Sequence, residues 1–317
     1  VLKDKKVLVT GLTGNLAGSI AHALAPHNEV WGLARYGAPG QRDYWERVGV
    51  HTVVGDYTSG DFTGVPDDCD YVIHAAALCD GNEPFEASMR ANAEGPLLLM
   101  AHCRKARAFL HISTVGVYAE HPDPDHEYRE DDLTGSASIG HYTGSKLAGE
   151  GAVRGMARYL GLPTVIGRLG VQYGVFGQGG LLGILLKNVL DRQPVLLPKG
   201  RSNILRPISD DDVVGFLEPL LKAATVPAIT VNLAGDEDMH TKDIVEHFGQ
   251  LAGLQPVVEL TDAFDYPSVH PDPTRRREIA GRCKVPLREG LTRMYEGLHE
   301  RLRSAAGDRA TNNTTKP

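Results

Sequence analysis

Val7-Leu8-Val9-Thr10-Gly11-Leu12-Thr13-Gly14-Asn15-Leu16-Ala17 decides the fold. A short apolar run passes at once into two glycines three residues apart and then into residues that open a helix. Strand, tight turn and helix in that order lift a glycine pattern above chance. Small residues at Gly11, Gly14 and Ala17 let backbone amides at a helix N-terminus approach a pyrophosphate. Gly11, Thr13, Gly14, Asn15 and Leu16 are therefore candidate nucleotide-binding residues. A turn without a ligand uses similar residues, so further signals are needed.

The rhythm downstream supplies one. Apolar runs recur at Val30-Trp31-Gly32-Leu33, Thr52-Val53-Val54, Tyr71-Val72-Ile73-His74, Phe109 to Ser113, Thr164-Val165-Ile166 and Ile229-Thr230-Val231. Most are separated by segments with helical periodicity or room for a helix. Alternating strands and helices with near-continuous apolar strands predict an α/β, doubly wound parallel sheet of the Rossmann kind, covered on both faces. After Arg168 a Gly-rich stretch from Gly174 to Gly183 leads to a helix through Arg192 and an irregular segment to Pro207. Another helix starts at Asp210-Asp211-Asp212, whose carboxylates suit the positive end of the helix dipole; capping alone explains the cluster. Further helices are expected at Thr241 to Ala252 and Leu287 to Leu302. The expected division is a dinucleotide-binding domain of residues 1–170 and 209–234, a smaller, mostly helical substrate lobe of residues 171–208 and 235–303, and a flexible tail of residues 304–317, with a ligand cleft between the lobes.

Tyr142-Thr143-Gly144-Ser145-Lys146 supplies the chemistry. Residues four apart on a helix share a face, so an ammonium at Lys146 sits beside the Tyr142 phenol and favours its ionised form. Alone, the pair also suits a solvated helix face; combined with the glycine turn it points to nicotinamide redox chemistry. Asp56, after the third strand, is placed to accept from an adenine amino group, although alone it is a turn aspartate.

Composition bounds the rest. The chain has 317 residues, 42% of them hydrophobic, enough for a full core. Its 33 Lys and Arg against 40 Asp and Glu give a formal charge of -7, with no basic stripe, which argues against nucleic acid. The longest apolar runs are too short to span a membrane, no leader is visible, and a cytoplasmic location is expected. Four cysteines, Cys69, Cys79, Cys103 and Cys283, form no Cys-x-x-Cys pair and read as reduced thiols. His121 and His126 lie in an acidic segment where Pro122 and Pro124 disfavour helical spacing, so a surface loop without metal is expected. The Asn and Thr triplets at 312–315 read as a polar tail.

With these residues in place, the chain resembles the extended short-chain dehydrogenases/reductases of the NAD-dependent epimerase/dehydratase type. The resemblance runs from about Val7 to Gly290. It rests on Thr10-Gly11-x-x-Gly14-x-x-Ala17, Gly55-Asp56, His74-Ala75-Ala76-Ala77, Asn92-Ala93-Glu94-Gly95, Ser113-Thr114 ahead of Val117-Tyr118, Tyr142-x-x-x-Lys146, Arg168 and Ile208-Ser209-Asp210-Asp211-Asp212-Val213. It implies that Tyr142 is the general acid/base, that Lys146 binds the nicotinamide ribose and lowers the pKa of Tyr142, and that Thr114 holds the reacting oxygen. It also places Asp56, Tyr57, Ala75, Ala76, Asn92, Ser113 and Arg168 around the nucleotide, with Asn92 mid-helix. The physics agrees: hydride transfer to a carbonyl builds negative charge on oxygen, and one donor holds that oxygen while another delivers the proton.

Departures from the pattern narrow the reading. NAD-preferring members carry an acidic residue at the end of the second strand; this chain has Ala34 and then Arg35, which favours NADP, with NAD the alternative. Thr114-Val115-Gly116 offers no second acid or base, which argues against dehydration. Nucleotide-sugar members tend to have an Asn where Val171 stands, and Arg206 is offset by about one residue from their phosphate-binding Arg. The expectation is an oxidoreductase that interconverts an alcohol and a carbonyl on a small molecule. The alternatives are a sugar or nucleotide-sugar epimerase that retains its cofactor and, less favoured, a non-catalytic nucleotide-binding sensor. The family implies a homodimer through the Tyr142 and Asn92 helices, with Leu97, Leu98, Met100 and Ala101 offering apolar surface. Substrate identity resides in the loops Gly174 to Arg206 and Phe264 to Arg277, which the sequence leaves unread.

Overall fold

Every one of the seven apolar runs forms a strand. They are β1 (Lys6–Thr10), β2 (Glu29–Ala34), β3 (Val50–Val54), β4 (Tyr71–His74), β5 (Ala108–Thr114), β6 (Thr164–Leu169) and β7 (Ile229–Leu233). The computed structural model describes residues 2–79, 82–135, 140–175, 180–199, 203–262 and 270–313, with side chains described through residue 300. All neighbours pair parallel in the order β3-β2-β1-β4-β5-β6-β7, so the strand order reverses between β1 and β4. A crevice opens at the carboxyl ends of the strands where such a reversal occurs. Gly11 stands at that point with φ +77°, and an added Cβ would lie 2.7 Å from the Ala76 Cα. Both the backbone angle and the space require glycine there.

Helices cover both faces. They are α1 (Asn15–Leu24), α2 (Gln41–Val48), α3 (Phe85–Met89), α4 (Gly95–His102), α5 (Gly140–Leu160), α6 (Gly180–Leu190), α7 (Asp210–Lys222), α8 (Thr241–Ala252), α9 (Thr274–Ala280) and α10 (Leu287–Asn313). One face buries Leu16, Ile20 and Leu24 of α1 with Phe216, Leu217 and Leu220 of α7. The opposite face buries Leu99 and Met100 of α4 with Val153 and Ala157 of α5. A separate core joins Leu182 and Leu186 of α6, Ile244 and Phe248 of α8, and Leu291 and Met294 of α10. Helix α10 reaches Asn313, past the point where composition suggests fraying. No helix among the described residues is long and apolar enough to cross a membrane.

Two local features differ from the sequence reading. Capping does not account for the acidic start of α7. Ser209 is the cap, its hydroxyl accepting from the Asp211 N–H at 3.2 Å. Asp210 turns inward to accept from Ser19 Oγ of α1 at 2.5 Å and from the Gln172 amide. Burial pushes its carboxyl up to about 6 against those two bonds. Asp212 accepts from the Lys284 N–H at 2.6 Å. The second feature is that Asn92 lies in a π-helical turn, Arg90–Glu94, between α3 and α4. Pro96 has no N–H to return to the Asn92 carbonyl four residues back, and its ring crowds that carbonyl. The chain widens there, and the Gly95 N–H bonds Arg90 O instead.

Helix α5 packs directly on this turn. A Cβ at Gly149 would fall 2.1 Å from Asn92 O, closer than any tolerated contact. Gly149→Ala is expected to force the helix outward and to destabilise the fold by about 2 kcal/mol. Denaturant unfolding of the variant checks this, and a midpoint equal to that of the parent would remove the close approach as a constraint.

Candidate functional site

A cleft of about 690 Å³ runs along the strand ends from the loops after β2 and β3, past the β1–β4 reversal, to the start of α6. Gly11, Thr13, Gly14, Asn15 and Leu16 line its middle. Arg35, Asp56 and Tyr57 line one end, and Ser113, Thr114, Tyr142 and Lys146 the other, with Ala75 and Ala76 also on the wall. Asn92 and Arg168 do not line it.

Lys146 is fully buried, and its ammonium donates to the Ile112 carbonyl at 2.7 Å. Burial drives its pKa down to about 8, with Cys79 and Glu150 acting to raise it. Tyr142, one turn earlier on α5, is hydrogen-bonded to the Cys79 thiol. Thr114 ends β5, and its Oγ1 accepts from the Gly116 N–H at 3.1 Å, leaving the hydroxyl proton to donate. The neighbouring Ser113 hydroxyl is spent on Glu150 at 2.6 Å. Two adjacent hydroxyls thus differ in use, and Thr114 has the proton to offer.

Beneath these groups lie two uncharged imidazoles. His74 and His111 are fully buried, in register on β4 and β5, with rings stacked at 5.4 Å. Burial first, and the Lys146 charge second, hold His74 down at about 3 and His111 well below its ordinary value. Thr10 Oγ1 lies 2.7 Å from His74 Nδ1 and 3.3 Å from the Ala76 N–H. The Thr10 hydroxyl thus bridges the Ala76 N–H and the His74 ring, and with one donor and two acceptor positions it can serve either His74 tautomer.

Asn92 and Arg168 act from outside the cleft. Asn92 accepts from the Leu78 N–H at 3.0 Å and donates to Leu78 O at 2.9 Å and Ser145 Oγ at 3.0 Å, tying the loop after β4 to α5. Arg168 is buried against Glu150, with Nη2 to Oε2 at 2.8 Å, and its guanidinium lies 4.7 Å from the centre of the Tyr118 ring. Burial opposes its charge, yet Glu150 holds its pKa above the ordinary value. The positions that sequence reasoning missed as cleft lining include Leu78, Cys79, Arg90, Val115, Gln172 and Leu181. Cys79 read as one of four scattered thiols, and only the approach of the β4 loop to α5 brings it to Tyr142.

No metal centre is built into the cleft from its described lining. His121 and His126 stack at 3.9 Å, with His126 Nε2 2.8 Å from Asp132. Among the described residues Glu127, Asp238 and His270 lie close enough to share an ion. Arg206 already takes that place: it reaches Asp238 at 2.6 and 2.7 Å, Glu127 at 3.2 Å and Pro271 O at 3.0 Å. Parts of the two loops in which substrate identity is expected to reside, residues 176–179, 200–202 and 263–269, lie outside the described residues.

A doubly wound sheet with a glycine turn at its reversal and a Tyr, Lys and Thr set beside it defines a Rossmann-type enzyme. The chain belongs to the NAD dependent epimerase/dehydratase family, whose model matches residues 7–232. No curated protein matches it. Among solved structures it is similar to a UDP-N-acetylglucosamine 4-epimerase from Methanobrevibacter ruminantium M1 in complex with UDP-N-acetylmuramic acid, with a TM-score of 0.82, 18% identity and coverage of 95% of this chain and 100% of that one. A UDP-glucuronic acid 4-epimerase from Bacillus cereus in complex with NAD gives 0.80, 21%, 93% and 99%. A dTDP-glucose 4,6-dehydratase from Bacillus anthracis str. Ames in complex with NAD gives 0.78, 15%, 93% and 96%. At these identities the likeness is one of fold.

The burial of Lys146 generates a pH dependence. Its folded pKa of about 8 lies below the ordinary 10.5, so between those values the folded chain has released a proton that the unfolded chain keeps. The ammonium is present below about pH 8 and lost above it. The expected outcome is an alkaline limb near pH 8 in kcat/KM, a free-enzyme property. Lys146→Arg keeps its charge and is expected to move that limb out of range; an unmoved limb would assign it to another group.

Proposed function

We propose that the protein is a nicotinamide-dependent oxidoreductase acting at an alcohol or carbonyl carbon of a small molecule, with Tyr142 as acid/base. The observation that carries this is the convergence of the free Thr114 hydroxyl, Tyr142 and buried Lys146 at one end of a cleft whose middle is the Gly11 to Leu16 turn. That turn suits a pyrophosphate, because it opens α1 at the strand-order reversal and carries Gly11 and Gly14, where side chains would otherwise stand over the helix N-terminus. Bound there, a nicotinamide dinucleotide supplies or accepts the hydride. Thr114 donates to the reacting oxygen, Tyr142 gives or takes its proton, and Lys146 holds positive charge next to both. Backbone amides at the start of α1 receive the nucleotide phosphates. The division of labour between a dinucleotide-binding domain and a smaller substrate lobe belongs to the same proposal. So does a homodimer, supported by Leu98 and Ala101, which stay exposed on α4 while Met100 is buried, and decided by the mass in solution.

The second reading is a sugar epimerase, favoured by the family and by the 4-epimerases among the similar folds. Both readings use the same three residues. Denaturing the purified protein separates them: a released dinucleotide near one per chain favours the epimerase, whereas an empty protein that consumes added NADPH with substrate favours the oxidoreductase. Tyr142→Phe is expected to lower turnover about 100-fold or more while cofactor affinity holds, and near-parental turnover would sink the assignment.

The NADP preference is also proposed. Arg35 follows β2 on the cleft wall, exposed, after the short Ala34 side chain. A guanidinium there suits a 2′-phosphate. The UDP-glucuronic acid 4-epimerase and dTDP-glucose 4,6-dehydratase structures named above carry NAD, which keeps that nucleotide as the alternative. Arg35→Ala is expected to weaken NADPH at least 10-fold more than NADH in calorimetric titration, on the order of a charged hydrogen bond; equal losses would refute the preference.

A further inference from the structure

We propose that Arg90 caps the adenine face of the bound nucleotide, recognising the base whether or not the ribose carries a phosphate. The inference rests on the nucleotide reading above. Arg90 opens the π-helical turn that follows α3, is exposed, and lines the cleft. The next residue in that turn fixes its position: the Tyr57 hydroxyl donates to Ala91 O at 2.9 Å, strapping the turn to the loop after β3. Gly95 makes the strap possible, since a Cβ there would sit 2.7 Å from the Tyr57 ring.

The strap holds two walls of a slot. Asp56 and Thr58, of the loop after β3, and the small Ala87 and Ala91, which flank Arg90 in α3 and the π-helical turn, all line the cleft. With the pyrophosphate at the glycine turn and the ribose beside Ala34 and Arg35, this slot at the outer end of the cleft is where the base falls. A purine ring is a flat apolar face with hydrogen-bonding edges. Asp56 offers a carboxylate to an edge, although one of its oxygens already accepts from the Thr58 N–H at 2.9 Å. Arg90 offers the face: among the described residues its guanidinium makes no hydrogen bond or ion pair, and a planar, weakly hydrated guanidinium stacks on aromatic rings where an ammonium does not. Arg35 and Arg90 therefore divide the work, one reading the ribose substituent and the other the base.

The test is calorimetric titration of the full chain, freed of any retained nucleotide, with NADH, NADPH and ADP-ribose. Arg90→Ala is expected to weaken all three alike, by about 5- to 150-fold, the range of one base stacked on a side chain. Arg90→Lys, which keeps the charge without the plane, is expected to lose nearly as much. Unchanged affinities in Arg90→Ala, a loss confined to NADPH, or full recovery in Arg90→Lys would each overturn the stacking role. If the parent protein takes up none of the three ligands, the nucleotide reading itself falls and the Arg90 assignment with it. An affinity loss confined to the variants leaves that reading standing.

Discussion

The approach of helix α5 to the π-helical turn at Asn92, with only a hydrogen atom's room at Gly149, is the constraint on which the site depends. Tyr142, Lys146 and Glu150 ride on that one helix, spaced by single turns. Moving the helix outward by a few tenths of an ångström shifts the acid/base, the buried ammonium and the carboxylate together. Asn92 reinforces the contact from the other side, because its amide grips both Leu78 and Ser145. The loop that brings Cys79 to Tyr142 is thereby tied to the helix that carries Tyr142. A glycine, a proline-induced widening and one asparagine accomplish together what none does alone.

Electrostatics then decides which groups near the helix stay charged. Glu150 is surrounded by donors, with Arg168 and Ser113 both on its carboxylate. Burial lowers the Lys146 pKa, and Cys79 first and then Glu150, one turn along α5, act to raise it. The two imidazoles on β4 and β5 are kept neutral by the same burial, so no second cation competes with the ammonium from below. The arrangement keeps Lys146 close to its titration point, where a modest change in surroundings changes its charge. Binding of an anionic or polar partner in the cleft is expected to move it toward the charged form, because an added negative charge favours an ammonium.

What the sequence made legible was periodic or local. All seven strands were visible because parallel strands buried on both faces are continuous apolar runs, and Gly11 was visible because a strand-to-helix turn at close quarters tolerates little else. The Tyr142 and Lys146 pair was visible from helical spacing. What stayed hidden depends on contacts far apart in the chain. Asp210 looked like a capping carboxylate, and only the packing of α7 on α1 makes it the partner of Ser19, 191 residues away. Arg168 looked like a nucleotide ligand, yet its side chain is taken up by Glu150 and Tyr118 behind the cleft. Arg90 and Cys79 carried no signal, since exposed loop and helix-end residues reach a cleft only by way of the elements that hold them.

The two ends of the cleft differ in a way that bears on what each receives. At the outer end Arg35 and Arg90 face the slot with Asp56 as the single carboxylate, a setting suited to an anionic nucleotide. At the reacting end the described wall includes Leu78, Val115, Leu169, Val171 and Leu181 around the Ser113, Thr114, Tyr142 and Lys146 polar set, with Cys79 and Gln172 beside it. Arg206, the arginine nearest in sequence to a phosphate-binding position, has its donors filled by Asp238, Glu127 and Pro271 O. Freeing it to meet another anion would break its ion pairs with Asp238 and Glu127, leaving Asp238 with His270.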